Sequence, residues 1–270
     1  HIDYCNHNIE HALNDAVDQY KLDRMKNQEM VIEVWTEKDA ISNILKRVTR
    51  KYHIRLVVNK GYISSSAIYS AYRRFINYLE ESKKVYILYF GDHDPSGLDM
   101  VRDIEDRMYR FLTEGTGKNS LIDQALNKDD SLELEGKESF FDKYYNDKSC
   151  YNSENDGTFI MKGANFDITR AYCKEMVKVL PIGLTMSQIK EYNPPPNPAK
   201  ITDPRAKEYI KNHGNISWEV DALKPQIMER IVTSNIENII DLYSFEEIMK
   251  QENSDKLKIR SIIDNLNHSE

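Results

Sequence analysis

Two aspartates separated by one residue, Asp92 and Asp94, follow an apolar stretch that ends at Phe90. Glycine, proline and serine residues around them turn the chain, and an amphipathic pattern begins at Leu98. This order predicts a buried strand, a tight acidic turn and a helix. Two carboxylates this close repel each other, and a bound divalent cation is the simplest way to relieve the repulsion.

A third acidic residue, Glu37, follows another strand pattern at residues 30–35. The three carboxylates are hard oxygen ligands, which favour Mg²⁺ or Mn²⁺. A cation held in this way can bind a phosphodiester and stabilise charge on its leaving oxygen. The alternative is that the Asp-x-Asp turn only caps the next helix. We interpret Glu37, Asp92 and Asp94 as metal ligands, with Glu37 also a catalytic candidate.

Three strand patterns alternate with three helical patterns between residues 30 and 112. The alternation predicts an α/β protein with a Rossmann-type parallel sheet flanked by helices. Since functional residues gather at the carboxyl ends of parallel strands, Glu37 is expected to meet Asp92 and Asp94 there. Thr36 is expected to cap the helix that follows the first strand. The predicted strands are 30–35, 54–59 and 85–90, with a fourth strand-like stretch at 179–184.

Four further residues are candidates for the chemistry or for a metal. Lys38 is predicted to reach a phosphate as a catalytic residue, and an exposed first-turn lysine is the alternative. His93, between the two aspartates, is a candidate for direct chemistry, although a supporting or surface position is commoner for such a histidine. Glu219 and Asp221 precede a helix and are predicted to supply a second metal site. Acidic residues that merely suit the helix dipole are the alternative.

The charge distribution is uneven along the chain. A net charge of −7 does not by itself indicate a nucleic-acid-binding protein. Residues 41–60, however, contain six Lys or Arg and no Asp or Glu, so a basic face for DNA is one interpretation and a solvated helix face is the other. The serine-rich helix start that follows suits phosphate, with ordinary capping as the alternative. The predicted DNA- and phosphate-binding residues are Lys60, Ser64, Ser65, Arg73 and Arg74.

The compartment is expected to be the cytoplasm. The sequence contains no run of about 18 apolar residues, so no membrane span is predicted, and no signal peptide is recognisable. The three cysteines form no Cys-x-x-Cys pair, so we expect neither a disulfide framework nor a zinc site.

The motifs after the three strands resemble one known family. They read Glu-Lys-Asp-Ala, Lys-Gly-Tyr and Gly-Asp-x-Asp-Pro-Ser-Gly, and this order resembles the Toprim domain of topoisomerases, bacterial primases and several nucleases. The form here is most similar to the topoisomerase VI A subunit, its meiotic recombination relatives, and uncharacterised phage and mobile-element proteins. The specific match covers residues 29–112, and 177–225 also resembles the phage and mobile-element proteins.

The resemblance implies cleavage of DNA phosphodiester bonds with Mg²⁺ or Mn²⁺ as cofactor. In Toprim enzymes the glutamate acts near the scissile phosphate as metal ligand or general acid/base, and the aspartate pair holds Mg²⁺. On this chain those residues are Glu37, Asp92 and Asp94. The resemblance also implies DNA, a second copy of the chain and an ATPase subunit as partners.

The nucleophile departs from the topoisomerase VI pattern, in which a catalytic tyrosine lies in a winged-helix domain before Toprim. Only 36 residues precede Glu37, and neither Tyr4 nor Tyr20 lies in a winged-helix pattern. Either that domain lies outside this chain, or water is the nucleophile and the reaction is hydrolysis, as in Toprim nucleases of the overcoming-lysogenisation-defect type.

Two other classes stay open. Receiver domains and dehalogenase-type phosphatases also place acidic residues after strands, but Pro95 and the position of Asp-x-Asp after the third strand fit the phosphatases poorly. A non-catalytic DNA-binding or interaction module with the same fold is the other class.

The expected organisation has three parts. Residues 1–28 are predicted to form an N-terminal helical segment that is the remnant of an upstream domain. Residues 29–225 are predicted to form the Toprim domain, with a polar insertion at about 114–163, and residues 226–270 to form C-terminal helices.

Overall fold

The computed structural model describes residues 9–59, 61, 63–114 and 174–267 of the chain. A four-stranded parallel sheet in the order β2-β1-β3-β4 lies at its centre. This sheet and its flanking helices confirm the predicted α/β class, and the first three strands match their predicted bounds within one residue. From residue 115 onward the predicted polar insertion lies outside the described residues. The strands are β1 (Met30–Thr36), β2 (Arg55–Val58), β3 (Lys84–Phe90) and β4 (Val177–Gly183).

Helices connect and flank these strands, and the C-terminal region is helical as predicted. Two single 3₁₀ turns (Asp39–Ile41 and Val220–Ala222) and a two-stranded antiparallel ribbon, β5 (Asn197–Pro198) with β6 (Ile216–Ser217), complete the described elements. None of the helices in the described ranges combines the length and the apolarity that a membrane crossing requires. The helices are α1 (Ile9–Gln19), α2 (Ser42–Tyr52), α3 (Ser65–Glu80), α4 (Pro95–Glu114), α5 (Met186–Tyr192), α6 (Ala206–His213), α7 (Pro225–Glu237) and α8 (Leu242–Asn267).

Alternate side chains of the central strands face two separate cores. On one face, Val34 and Leu88 pack with apolar residues of α2 and α7. On the other face, Trp35, Ile87 and Tyr89 pack with α3 and α4. All five side chains are at most 2 % exposed, so both faces of the sheet are covered. Burial on both faces explains why these strands appear in the sequence as continuous apolar runs.

Glu33 is a carboxylate buried inside β1, at 2 % exposure. Arg74 of α3 donates to both of its oxygens, at 3.0 and 2.9 Å, and Trp35 Nε1 donates at 2.9 Å. A more exposed Arg55 lies 3.6 Å away. These donors compensate the cost of burying the charge and fasten α3 to the sheet.

The last helix, α8, is joined to the segment after α1 through Glu252, which is 1 % exposed. Its carboxylate accepts hydrogen bonds from Arg24, Lys256 and the backbone N–H of Leu22. Burial raises the pKa of Glu252, but these hydrogen bonds outweigh burial and bring the pKa to about 2. The two ends of the described chain are therefore held together by a charged contact.

Replacing Arg74 with alanine is expected to destabilise the protein. The change leaves the buried Glu33 without its bidentate partner, and we expect the free energy of unfolding to fall by about 2–3 kcal/mol. Arg73, the exposed neighbour on the same helix, is the matched control. Its alanine variant is expected to change stability by less than about 0.5 kcal/mol. Urea unfolding of both variants measures the difference, and equal effects would contradict this role of Arg74.

Candidate active site at the carboxyl edge of the sheet

The ends of β1 and β3 lie side by side, because Trp35 is paired with Tyr89 in the parallel register. Glu37 and Asp92 follow these strands within a few residues and therefore share one edge of the sheet. Thr36 holds the chain after β1. Its hydroxyl accepts the N–H of Lys38 at 3.2 Å, and its carbonyl accepts the N–H of residue 59 at 2.8 Å. The cap predicted for Thr36 is wrong, because α2 begins later, after a 3₁₀ turn.

Asp94 caps the helix that follows the acidic turn. Its Oδ1 accepts the N–H of Gly97 at 2.6 Å, and Pro95 takes the first helical position, where no N–H is needed. Gly97 is required for close approach, since a Cβ there would lie 2.2 Å from the carbonyl oxygen of Asp92. Capping, the alternative interpretation of the Asp-x-Asp turn, thus accounts for one oxygen of Asp94 and for neither oxygen of Asp92.

Asp92 joins three segments that are distant in sequence. Its Oδ1 accepts the backbone N–H of Val220 at 2.8 Å, and its Oδ2 lies 2.9 Å from Nζ of Lys38. The same ammonium lies 3.4 Å from Glu219 and 3.5 Å from Asp221. The structure therefore brings the predicted second acidic pair to the first through Lys38.

The charges of this cluster shift the pKa of its members. Burial lowers the pKa of Lys38, but Asp92 and then Asp221 and Glu219 outweigh burial and raise it. Burial raises the pKa of Asp92, and Asp94 adds to this against the hydrogen bonds from Val220 and Lys38. Burial and the neighbouring Asp94 therefore outweigh the ammonium partner in their effect on the pKa of Asp92.

Glu37 is half-buried beside the aspartates. Its pKa is raised, first by burial and then by the negative charges of Asp92 and Asp94. Lys38 and Lys200 act in the opposite direction. Lys200 is exposed and follows the proline-rich segment before α6, and sequence reasoning missed it because nothing in its local pattern links it to Glu37. The structure thus assembles a carboxylate whose proton affinity suits transfer closer to neutral pH.

His93 does not lie among the carboxylates as a reactive group. Its side chain is 3 % exposed and packs against the rings of Tyr209, His213 and Trp218. Its backbone exchanges two hydrogen bonds with Trp218, at 2.9 and 3.1 Å, and its Nδ1 lies 3.1 Å from the Tyr209 hydroxyl. Burial, followed by His213, lowers the pKa of His93 and keeps the ring neutral. The geometry makes His93 a support for the acidic turn, and we leave it out of the proposed chemistry.

The predicted phosphate-binding residues have mixed outcomes. Ser64 caps α3 by accepting the N–H of Ala67 at 3.1 Å, and Ser65 is exposed in the first turn. Lys60 lies outside the described residues. Arg73 is exposed and stays a predicted DNA contact, whereas Arg74 is used by Glu33 inside the fold, so we do not retain it as a DNA contact.

The side chains of the cluster are of the chemical type that binds a divalent cation, but their present positions do not form a metal site. In the described part of the chain, no three His, Cys, Asp or Glu side chains are grouped so that they could hold a metal ion. The donors nevertheless are all hard oxygens, and the ammonium of Lys38 stands among three of them where positive charge is needed. Glu37, Asp92 and Asp94 are the residues that would hold the cation, after rearrangement of their side chains.

Comparisons with protein-family models, curated proteins and solved structures found no match to this chain. The residues of this chain and their geometry are therefore the basis for a functional proposal.

Replacing Glu37 with glutamine is expected to stabilise the protein in a pH-dependent way. Because the folded-state pKa of Glu37 lies above the ordinary value of 4.5, its contribution to stability is present in acid and is lost as pH rises through the folded-state pKa. The variant should match wild type near pH 4 and exceed it at pH 8 by roughly 1 kcal/mol. Thermal unfolding across this range measures the gap, and a gap that widens toward acid would contradict the assignment.

Replacing Lys38 with methionine is expected to strengthen the binding of a divalent cation. The substitution removes a positive charge 2.9 Å from Asp92 that competes for the same carboxylates. Even in the dielectric of water a charge pair at this separation is worth about 1.4 kcal/mol, so Mn²⁺ affinity should rise about tenfold. Calorimetric titration with Mn²⁺ measures the change. Lys200→Met is the control, with a smaller expected effect, and weaker Mn²⁺ binding by Lys38→Met would refute competition.

Proposed function

We propose that the protein is a Mg²⁺- or Mn²⁺-dependent enzyme of the Toprim type that cleaves phosphodiester bonds in DNA. The observation that carries the proposal is the meeting of Glu37, from the end of β1, with Asp92 and Asp94, from the end of β3. Each of the two aspartates raises the pKa of Glu37. Mutual repulsion of this kind persists in a fold when function requires it.

The residues divide the work of cleavage in this proposal. Asp92, Asp94 and Glu37 would hold the cation, which would supply positive charge to the phosphate and its leaving oxygen. Glu37 is also the candidate to move a proton at the reacting oxygen, as a general acid or base. Val220 keeps Asp92 oriented through its backbone N–H.

The two lysines contribute positive charge in different ways. Lys38 neutralises the carboxylates in this structure and would be free to contact the phosphate once a cation took its place. Lys200, exposed beside Glu37, attracts the DNA backbone. Glu219 and Asp221 are at hand for a second cation, since both already face the Lys38 ammonium. A second copy of the chain and an ATPase subunit stay implications of the Toprim resemblance.

A non-catalytic DNA-binding module is the second candidate. It is favoured by the Lys38 ammonium, which already satisfies Asp92, Glu219 and Asp221 without any metal. In that case the cluster fastens the segment before α7 to the sheet and carries no chemistry. The two candidates differ in whether a cation binds and in whether DNA is cut.

Cleavage of supercoiled and linear DNA in Mg²⁺ or Mn²⁺ tests the proposal. Wild type should cut, and Glu37→Gln and Asp92→Asn should each lose at least about a hundredfold in rate, because proton transfer and cation binding are removed. Glu208→Gln, an exposed glutamate of α6, is the control and should cut normally. Ends retained on protein after denaturation indicate a tyrosyl link, and free ends indicate hydrolysis. DNA binding without cutting by wild type would establish the second candidate instead.

A further inference from the structure

Unpaired buried polar atoms are concentrated at the edge of the sheet that carries the carboxylates. Within the described residues, three buried side-chain polar atoms have no hydrogen-bond partner: Asn59 Nδ2, the Tyr89 hydroxyl and Arg107 Nε. Asn59 directly follows β2, and Tyr89 is the second-last residue of β3, so two of the three lie at this edge. Buried groups of this kind are rare in folded proteins, and each calls for an explanation.

The Tyr89 hydroxyl lies beneath the acidic turn. The side chain is 2 % exposed, with its ring in the core shared by α3 and α4. A Cβ added to Gly91 would lie 2.6 Å from Cε1 of this ring and 2.8 Å from the hydroxyl oxygen. The glycine therefore leaves the space into which the ring extends, and the hydroxyl reaches past the end of its own strand.

The carboxylates act on this hydroxyl without a hydrogen bond to it. Burial raises the pKa of Tyr89, and the negative charges of Glu37, Asp92 and Asp94 raise it further. The phenol therefore keeps its proton at physiological pH and is available only as a donor or as a weak acceptor. A permanent donor beside three carboxylates, with no partner among the described residues, is suited to a ligand that arrives with an oxygen atom.

We propose that the Tyr89 hydroxyl donates a hydrogen bond to an oxygen atom of the ligand bound at the carboxylate cluster. That oxygen belongs either to a phosphate group or to a water molecule on a divalent cation. The inference deepens the proposed function and depends on it. Tyr89 supplies in this way a fixed donor from the core side, while Lys38 and Lys200 supply mobile charge from the solvent side.

Tyr89→Phe tests the inference, because it removes the hydroxyl and keeps the ring. Without ligand, its melting temperature should equal or exceed that of wild type, since the lost donor had no partner. Its affinity for Mn²⁺ or for a short DNA duplex in Ca²⁺ should fall roughly tenfold, the expected loss for one good hydrogen bond. Tyr109→Phe is the matched control. This hydroxyl, in the same core, donates to the Val177 carbonyl at 3.2 Å at the opposite edge of the sheet. Its loss should lower the melting temperature and leave ligand affinity unchanged.

Two titrations separate the sources of the oxygen. Calorimetry with Mn²⁺ alone reports the water on a cation, and binding of a short DNA duplex in Ca²⁺ reports the phosphate. A loss in either titration supports the inference and identifies the ligand atom. Unchanged affinities in both, with wild type binding normally, would overturn the role of Tyr89 and leave the proposed function intact. A melting temperature lowered as much as in Tyr109→Phe would also overturn it. Failure of wild type to bind Mn²⁺ would refute the proposed function, and failure to bind the DNA duplex as well would refute this inference with it.

Discussion

The contact between Lys38 and Asp92 joins segments that no local pattern connects. Lys38 belongs to the turn after β1, and Asp92 to the turn after β3. Through Val220, Glu219 and Asp221, the same contact also holds the segment that leads into α7. The parallel sheet makes this possible, because it places both strand ends on one edge and leaves their side chains facing a common partner. The rest of the edge, including Glu37, is arranged around this balance of charge.

Stability and chemistry oppose each other at this edge. Burial and like charge raise the pKa of both Glu37 and Asp92, which means that the folded protein holds these charges at a cost. The apolar burial in the two cores, on either face of the sheet, offsets this unfavourable free energy. Glu33, inside β1, shows the opposite arrangement, since its buried carboxylate has bidentate donors from Arg74 and an indole donor from Trp35.

The strands and the first three carboxylates were predictable because their signals are local. Apolar runs of strand length and alternation with helices place Glu37, Asp92 and Asp94 on one edge without knowledge of any contact. Long-range partners were not predictable in the same way. Nothing in the sequence around Arg74 distinguishes it from a surface cation, because its partner is the distant, buried Glu33. Nothing in the sequence around Lys200 links it to Glu37.

Two further features depended on packing that a sequence does not display. The ring of His93 was a candidate because of its position between the aspartates, yet the aromatic cluster around Tyr209 buries it. In the sequence, Tyr89 is one residue of an apolar strand pattern. Only the missing partner of its hydroxyl distinguishes Tyr89 from an ordinary core residue.

The hydrogen bond from Val220 to Asp92 spans 128 residues of sequence. During synthesis, the three leading strands leave the ribosome long before the residues that balance their carboxylates. Until residue 221 has emerged, Asp92 has neither its backbone donor nor its neighbouring acidic turn, and the ammonium of Lys38 is its nearest source of compensation. The carboxyl edge of the sheet therefore cannot be completed before the segment at residues 219–221 has been synthesised.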